Sequence, residues 1–256
     1  MIQSLERALR VLEALKEINR DFSIAQLSEN LQLPPSTLHR ILETLCKYKY
    51  VVKDERAHTY KLGSAVIPLG IVAKNNLRLQ DNVLPILKSL SSITHEDSFF
   101  IISSGYKGLI LEKSEGSSPF KVVDPLGYER YLHCGATRKV LLAFQTDEFV
   151  DDYIKNALPE DTSEPKITSQ KLYQDIVKIR TDGVSVSFGD YIEGSVGIGA
   201  PVYGSDGKIK ASIGIIFPDS RINNEAHMEK LKKTVKKHAA ELSSTMGYSS
   251  PLAHLR

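Results

Sequence analysis

The chain has 256 residues, of which 41% are hydrophobic and 25% charged, and its formal net charge is +2 at pH 7. This composition is that of an ordinary globular protein, and no segment approaches the about 20 consecutive apolar residues of a membrane-spanning helix. The N-terminus carries charges at helical spacing without a continuous apolar core, which argues against a signal peptide and predicts a cytoplasmic protein with no membrane partner. Two distant cysteines, Cys46 and Cys134, indicate neither a disulfide framework nor a zinc site, and we expect no metal and no cofactor.

Three short helices are predicted in the N-terminal segment. The buried stripe of the first is expected to consist of Leu5, Ala8, Leu9, Leu12 and Leu15. Ser23 and Gln26 have the spacing of a capping box, which predicts the start of the second helix. Pro34 and Pro35 then mark the start of the third, because proline fits the first turn of a helix but not its interior.

The third predicted helix has one apolar face and one polar face. On a helical wheel the apolar face holds Leu38, Ile41, Leu42 and Leu45. The polar face and its flanks hold Ser36, Thr37, His39, Arg40, Glu43, Thr44 and Lys47. Side chains of these kinds reach base edges and phosphates in the major groove of DNA. An ordinary amphipathic surface helix has the same two faces, so both interpretations remain open for this helix alone.

Two segments rich in β-forming residues follow, at 50–54 and 58–62, and the short polar connection between them predicts a hairpin. Three helices and a hairpin in this order are typical of a winged helix-turn-helix, whose third helix enters the major groove. The hairpin would then bring Lys53, Arg56 and His58 to the DNA backbone or minor groove. A solvated hairpin without DNA contacts is the alternative for these three residues.

Positive charge is concentrated in this part of the chain. Residues 34–63 have a net charge of +3, excluding histidine, whereas the rest of the chain has −1. Phosphate binding requires such a local excess. Because the excess is small, we expect modest affinity per subunit and binding as a dimer.

Three stretches, LERALRVLEAL at 5–15, LPPSTLHRIL at 33–42 and YKLG at 60–63, resemble the N-terminal signature of the IclR family of bacterial transcriptional regulators. The C-terminal half continues the resemblance, which therefore covers nearly the whole chain. It implies an α+β protein in which a linker helix joins a winged helix-turn-helix DNA-binding domain to a GAF-like effector-binding domain. These three parts correspond here to residues 1–63, 64–80 and 81–256. The resemblance also implies homodimers that often pair into homotetramers.

Strands and helices are both predicted in the second half. Strands are expected at 99–103, 109–112, 120–123, 183–187, 196–202 and 209–217. Helices are expected at 64–79, 81–94, 135–144, 146–156, 170–181 and 224–243. Strands in two groups with helices between them indicate an α+β sheet covered by helices.

The stretch 132–143 contains the first candidate ligand site. Gly135 and Ala136 are small and begin a predicted helix, whose free N-terminal amides would suit a carboxylate. The resemblance implies that this segment borders the effector pocket, with Cys134, Gly135, Ala136 and Thr137 as effector-binding residues. This run departs from the family's more usual Ala and Thr, so the resemblance does not assign the ligand class. The alternative is a tight helix start without a ligand.

The segment 188–195 is the second candidate, because it combines acidic and aromatic side chains with two glycines just before a strand. It corresponds to the family's acidic segment at another edge of the pocket. Asp190, Tyr191, Glu193 and Ser195 are its candidate effector-binding residues, and a solvated loop is the alternative.

These observations favour a ligand-responsive transcription factor that binds double-stranded DNA at a near-palindromic operator. Its expected effector is a small, carboxylate-containing metabolite, and repression is the simpler outcome because it requires only occupancy of a promoter. The expected DNA-binding residues are Ser36, Thr37, His39, Arg40, Thr44, Lys47, Lys53 and Arg56. Among them Arg40 is the candidate for reading guanine, and Lys47, Lys53 and Arg56 for holding phosphates.

No catalytic residue is assigned. His133 and Cys134 are adjacent, so in an extended segment their side chains point to opposite sides. No nucleophile elbow, P-loop or dinucleotide-binding motif occurs. The alternative function is a small-molecule enzyme or carrier whose N-terminal domain serves assembly.

Overall fold

In the computed structural model of the protein, the residues described are 2–16, 20–76, 80–119, 121, 125–158 and 167–249. The chain divides into two units, Met1–Arg78 and Leu79–Arg256. None of the helices formed by the described residues is long and apolar enough to cross a membrane.

The first unit contains the predicted helices and hairpin. Its elements are α1 (Gln3–Ala14), β1 (Phe22–Ser23), α2 (Ile24–Leu31), α3 (Pro35–Lys47), β2 (Val51–Asp54), β3 (Thr59–Leu62) and α4 (Val66–Asn76). The strands form an antiparallel sheet in the order β1-β3-β2. The two-residue strand β1 was not predicted; it pairs Phe22 with Tyr60, and both side chains are buried in the core.

Local interactions determine where α2 begins and ends and where α3 begins. The Ser23 Oγ accepts a hydrogen bond from the Gln26 amide at 3.3 Å, and the Gln26 Oε1 accepts one from the Ser23 amide at 2.9 Å, which confirms the capping box. Gln32 ends α2 in the left-handed conformation, with φ of 54°. Pro35 occupies the first position of α3, where no amide is needed.

The core of the first unit is formed by α1, α2 and α3 together with residues of the three strands. Leu38 and Leu42 of α3 are buried, as predicted. The stripe predicted for α1 was wrong at Leu5 and Leu9, which are 56% and 54% exposed, and confirmed at Leu15, which is buried. Val11, which was not predicted, is the buried residue within α1. Helix α4 also carries exposed apolar side chains, namely Ile67, Leu69, Ile71 and Val72.

The second unit is built on one sheet. Its elements are α5 (Gln80–Thr94), β4 (Asp97–Ser104), β5 (Lys107–Ser114), β6 (Glu129–Tyr131), α6 (Ala136–Ala143), α7 (Asp147–Asn156), α8 (Ser169–Asp182), β7 (Ser185–Phe188), β8 (Ser195–Tyr203), β9 (Ile209–Pro218), a 3-10 turn (Asp219–Arg221) and α9 (Glu225–Thr245). The six strands are antiparallel in the order β6-β5-β4-β9-β8-β7. Strand β6 was not predicted, and the strand predicted at 120–123 lies outside the described residues apart from Lys121.

Helices cover both faces of this sheet. Phe100 of β4 packs in the apolar cluster that contains α5 and α9, whereas Phe99 and Ile101 pack in the cluster that contains α6, α7 and α8. This alternation is the period of two expected of a strand that is buried on both faces. The second unit therefore has three layers, helix on sheet on helix, which confirms the predicted α+β sheet covered by helices.

Glycines bring α6 unusually close to the sheet. A Cβ atom placed on Gly199 of β8 would lie 2.7 Å from the Thr137 Cα, and one placed on Gly214 of β9 would lie 2.5 Å from the Thr137 Cγ2. Only a residue without a side chain fits at such distances. The first turn of α6 therefore rests directly on the central strands.

Candidate functional site

The polar face of α3 is open to solvent. Leu38 and Leu42 hold the opposite face in the core, so Arg40 points outward, as predicted. The exposed side chains of this face are Ser36, His39, Arg40, Glu43, Thr44 and Lys47, and Thr37 is half-buried. The Thr44 hydroxyl donates a hydrogen bond to the Arg40 carbonyl at 2.9 Å.

The hairpin beside α3 is stiffened by Asp54. Its Oδ1 accepts hydrogen bonds from the Arg56 amide at 2.8 Å and the Ala57 amide at 3.0 Å, and these bonds lower the pKa of the Asp54 carboxyl. The loop is one residue longer than predicted, since His58 has a φ of 53° and precedes β3. The Lys53 Nζ lies 2.5 Å from the Glu55 Oε2, which raises the pKa of Lys53 and offsets its charge locally. The Arg56 side chain is exposed.

A groove of about 520 Å³ lies between α1 and α3. Arg7 of α1 lines it together with Thr37, Arg40 and Thr44 of α3. Sequence reasoning did not select Arg7, because only the packing of α1 on α3 places it beside the polar face.

In the second unit, the two segments predicted to form a ligand site meet at the start of α6. Gly135 precedes the helix with φ of 75°, and a Cβ atom there would lie 3.1 Å from the Tyr191 Cβ. The Ala136 amide donates to the Ser187 Oγ at 3.0 Å. The volume enclosed here is about 10 Å³. That is about the volume needed for one water molecule, so this part of the site is closed in the structure.

Two arginines that sequence reasoning missed surround Tyr191. Arg138 is fully buried; its Nε donates to the Gly108 carbonyl at 3.2 Å and its guanidinium lies 4.9 Å from the centre of the Tyr191 ring. The Arg130 guanidinium lies 5.8 Å from the same ring. Burial lowers the pKa of Arg130, but the nearby Tyr128, Cys134 and Tyr191 raise it above its ordinary value. The sequence did contain a signal for Arg138, because it lies within the largely apolar segment 132–143.

The remaining loop candidates have different environments. Cys134 is buried beside Gly135. Ser195 is buried and its Oγ donates to the Ile192 carbonyl at 2.5 Å, whereas Glu193 is exposed. Asp190 is joined to α6, because its Oδ2 lies 2.6 Å from the Lys139 Nζ.

Lys139 is the centre of a charged cluster. It is only 5% exposed, and its Nζ also lies 2.8 Å from the Asp175 Oδ2 of α8. The exposed Lys171 contacts the Asp175 Oδ1 at 2.8 Å. Burial raises the pKa of the Asp175 carboxyl, but the hydrogen bonds from Lys139 and Lys171 lower it more, so the net change is downward. The cluster therefore links α6, α8 and the loop at 188–195.

This cluster forms part of the wall of a cavity of about 430 Å³. The cavity is lined by His133, Lys139, Ile167, Thr168, Lys171, Asp175, Val186, Ser187, Phe188 and Asp190. It shares Ser187 with the small closed volume at the helix start. Sequence reasoning had found only Asp190 among these residues.

We expect Asp175→Asn to lower the free energy of unfolding by about 1–3 kcal/mol at neutral pH, since it removes a carboxylate hydrogen-bonded to two ammonium groups. The folded-state pKa of Asp175 is lowered, so its contribution is present above the unfolded pKa of about 3.9 and is lost as pH falls through the folded pKa. The difference in free energy of unfolding between Asp175→Asn and the unaltered protein should therefore shrink as pH falls, and urea unfolding of the two proteins between about pH 7 and pH 3 measures it. Asp182→Asn, at an exposed position of α8, is the control, and a loss that is equal at all pH values contradicts the assignment.

Family models match both parts of the chain. The model of the IclR helix-turn-helix domain matches residues 4–55, and the model of the bacterial transcriptional regulator IclR C-terminal domain matches residues 72–244. Curated relatives include the HTH-type transcriptional repressor AllR of Escherichia coli K12, 24% identical over 96% of this chain and 90% of the relative. AllR of Klebsiella pneumoniae is 25% identical over the same shares.

Solved structures have the same fold. The IclR transcriptional regulator of Alicyclobacillus acidocaldarius aligns with a TM-score of 0.81 and 21% identity, over 96% of this chain and all of that one (100%). The Thermotoga maritima IclR aligns with a TM-score of 0.69 and 23% identity, over 97% and 100% of the two chains. At these identities the likeness is one of architecture, which extends over a helix-turn-helix unit and an α+β unit.

Proposed function

The chain belongs to the IclR family of bacterial transcriptional regulators, and we propose that it is a repressor that binds a near-palindromic operator and is controlled by a small-molecule effector. The single observation that carries this proposal is the geometry of α3. Leucines bury one face of this helix, and the opposite face presents Arg40 and its polar neighbours to solvent, beside a hairpin that is held rigid by hydrogen bonds. Such a helix can enter the major groove while the hairpin contacts the backbone.

Within this interface, direct base reading is assigned to the outward face of α3. Arg40 is the residue proposed to donate two hydrogen bonds to guanine. Four neighbouring side chains are proposed to contact bases or the adjacent phosphates, namely Ser36, Thr37, His39 and Thr44. Lys47, Lys53 and Arg56 are proposed to hold phosphates, and Lys53 would exchange Glu55 for a phosphate oxygen.

A second copy of the chain is the proposed partner of the exposed apolar side chains in the first unit. Leu5 and Leu9 lie one turn apart on α1, Ile71 and Val72 are adjacent on α4, and all four are more than half exposed. Neighbouring exposed apolar side chains of this kind favour association. A two-fold dimer matches a palindrome, and pairs of dimers would give tetramers. In this proposal residues 1–63 bind DNA, 64–80 form the linker helix and 81–256 bind the effector.

The effector is proposed to be a carboxylate-containing metabolite bound where the start of α6 meets the loop at 188–195. The proposed contacts are Cys134, Gly135, Ala136, Thr137, Asp190, Tyr191, Glu193 and Ser195. The guanidinium groups of Arg130 and Arg138, which lie 5.8 Å and 4.9 Å from the centre of the Tyr191 ring, support an anionic ligand. The protein is proposed to act by binding, without catalysis, in the cytoplasm where the bacterial chromosome lies.

Salt dependence tests the DNA-binding proposal. A pool of random duplexes is selected on the full-length protein, and the affinity for the selected site is then measured over a series of salt concentrations. We expect saturable binding to a near-palindromic site whose affinity falls steeply with salt, because phosphate contacts release counterions. Indifference to DNA over this range, with turnover of a metabolite, would instead support an enzyme.

For Arg56→Gln we expect a uniform loss of affinity across operator variants, without a change in base preference. The slope of log affinity against log salt should decrease by about 0.9 for each phosphate that the variant no longer neutralises, or about twice that in a dimer. The control is Lys178→Gln, which removes an exposed positive charge from α8 in the second unit. An identical slope for the Arg56 variant and the control would show that the hairpin does not bind phosphate.

A further inference from the structure

Beside the predicted site, rather than within it, the second unit has a cavity large enough for a small ligand. The junction of Gly135 and Tyr191 has a volume of about 10 Å³, whereas the adjoining cavity, which is open to solvent on one side, has a volume of about 430 Å³. A cavity of that size lies in the range of small-molecule sites. A ligand carboxylate in this cavity requires a positively charged group on its wall.

Two lysines line the wall, Lys139 and the exposed Lys171, and Lys139 is the one shielded from water. Its ammonium is nearly buried, and two carboxylates already surround it, at 2.8 Å from Asp175 and 2.6 Å from Asp190. These distances are those of charge-assisted hydrogen bonds, so the geometry around Lys139 is already that of a carboxylate site. With Lys171, the cluster has two positive and two negative groups, and an incoming carboxylate has to replace one of the aspartates.

Asp190 is the aspartate that can leave. Asp175 lies within α8 and is held by both Lys139 and Lys171, and its side chain is 18% exposed. Asp190 lies on the loop between β7 and β8, and its side chain is 33% exposed. Returning Asp190 to water therefore costs less than extracting Asp175.

We propose that the effector's carboxylate binds Lys139 in this cavity, in the place that Asp190 occupies in the structure; this rests on the proposed effector-controlled function. The exchange replaces one carboxylate with another, so the buried ammonium keeps a negative partner throughout. Ile167, Val186 and Phe188 provide apolar wall on the same cavity. The ligand class is therefore a monocarboxylate with a short apolar chain, and its binding releases the loop whose Tyr191 covers the start of α6.

Butyrate and butyramide are matched probes of this proposal, because they differ in charge but hardly in shape. The full-length protein is titrated with each at constant ionic strength, and binding is followed by thermal unfolding and calorimetry. We expect butyrate, but not butyramide, to bind. Asp190→Asn should strengthen butyrate binding at least tenfold, because the competing carboxylate is gone. Lys139→Met should weaken it at least tenfold, while Lys178→Met, at an exposed lysine of α8, should leave it unchanged.

Butyrate affinity that is unchanged in a folded Lys139→Met variant, or not increased in Asp190→Asn, overturns the proposal. If Lys139→Met does not fold, Asp190→Asn alone decides. If the protein does not bind DNA in the salt-dependence assay but butyrate binds with the expected variant effects, the repressor function is rejected and the carboxylate site is retained. Normal DNA binding without the butyrate pattern rejects the Lys139 site alone.

Discussion

Replacing Arg40 with alanine is expected to weaken binding at the selected operator by about 1–3 kcal/mol, or about 5- to 150-fold, and to relax the preference at one base pair in each half-site. The effect should be this large because Arg40 lies on the exposed face of α3, opposite the buried Leu38 and Leu42, which fix the helix in the core. In the proposed complex, the rigid helix would hold the guanidinium in the plane of a base edge, where it could donate two parallel hydrogen bonds to guanine.

Gel-shift titrations at fixed salt, on the selected operator and on single-base variants, measure both parts of this prediction. Arg40→Lys is the matched control: it keeps the charge, and therefore the salt slope, but loses the planar fork and with it the base preference. Unchanged operator affinity in Arg40→Ala would rule out base reading by this residue. A loss that is uniform over all base variants would assign Arg40 to phosphate instead.

In the first unit, sequence reasoning succeeded where the pattern was local. The polar and apolar faces of α3 and the Ser23 capping box depend only on residues within four positions of one another. It failed where a distant partner decides: the pairing of Phe22 with Tyr60 creates β1, and the packing of α1 leaves Leu5 exposed. A strand of two residues and a helix with leucines on two faces have no distinguishing local signal.

In the second unit, both segments of the candidate site were predicted, but the ion pair that joins them was not. The start of α6 and the loop at 188–195 were identified separately, and the structure brings Gly135 and Tyr191 together. The ion pair of Lys139 with Asp190 joins residues 51 positions apart. The sequence contained a partial signal, since two basic residues in the otherwise apolar run 132–143 require buried partners.

A second large effect is expected at Gly214, where alanine should lower the free energy of unfolding of the second unit by about 3 kcal/mol, the upper end of the usual cost of overpacking a core. The added Cβ would lie 2.1 Å from the Ile198 carbonyl oxygen and 2.5 Å from the Thr137 Cγ2. The first of these is backbone in the neighbouring strand, so the strand itself has to move. Ile213 and Ile215 on either side pack on the opposite face and hold β9 in place.

Urea unfolding followed by circular dichroism measures the loss, and Gly70→Ala in α4 is the matched control. Apart from the adjacent residues and the backbone of α4 itself, none of the described residues has an atom within 4 Å of a Cβ atom placed at Gly70, so the same substitution there should raise helix stability by about 1 kcal/mol. The opposite signs would show that the cost at Gly214 comes from the close approach of α6 and β8 rather than from losing a glycine. Equal stability of Gly214→Ala and the unaltered protein would mean that α6 can withdraw from the sheet freely, and the start of α6 would then lack the fixed position that a preorganised ligand site requires.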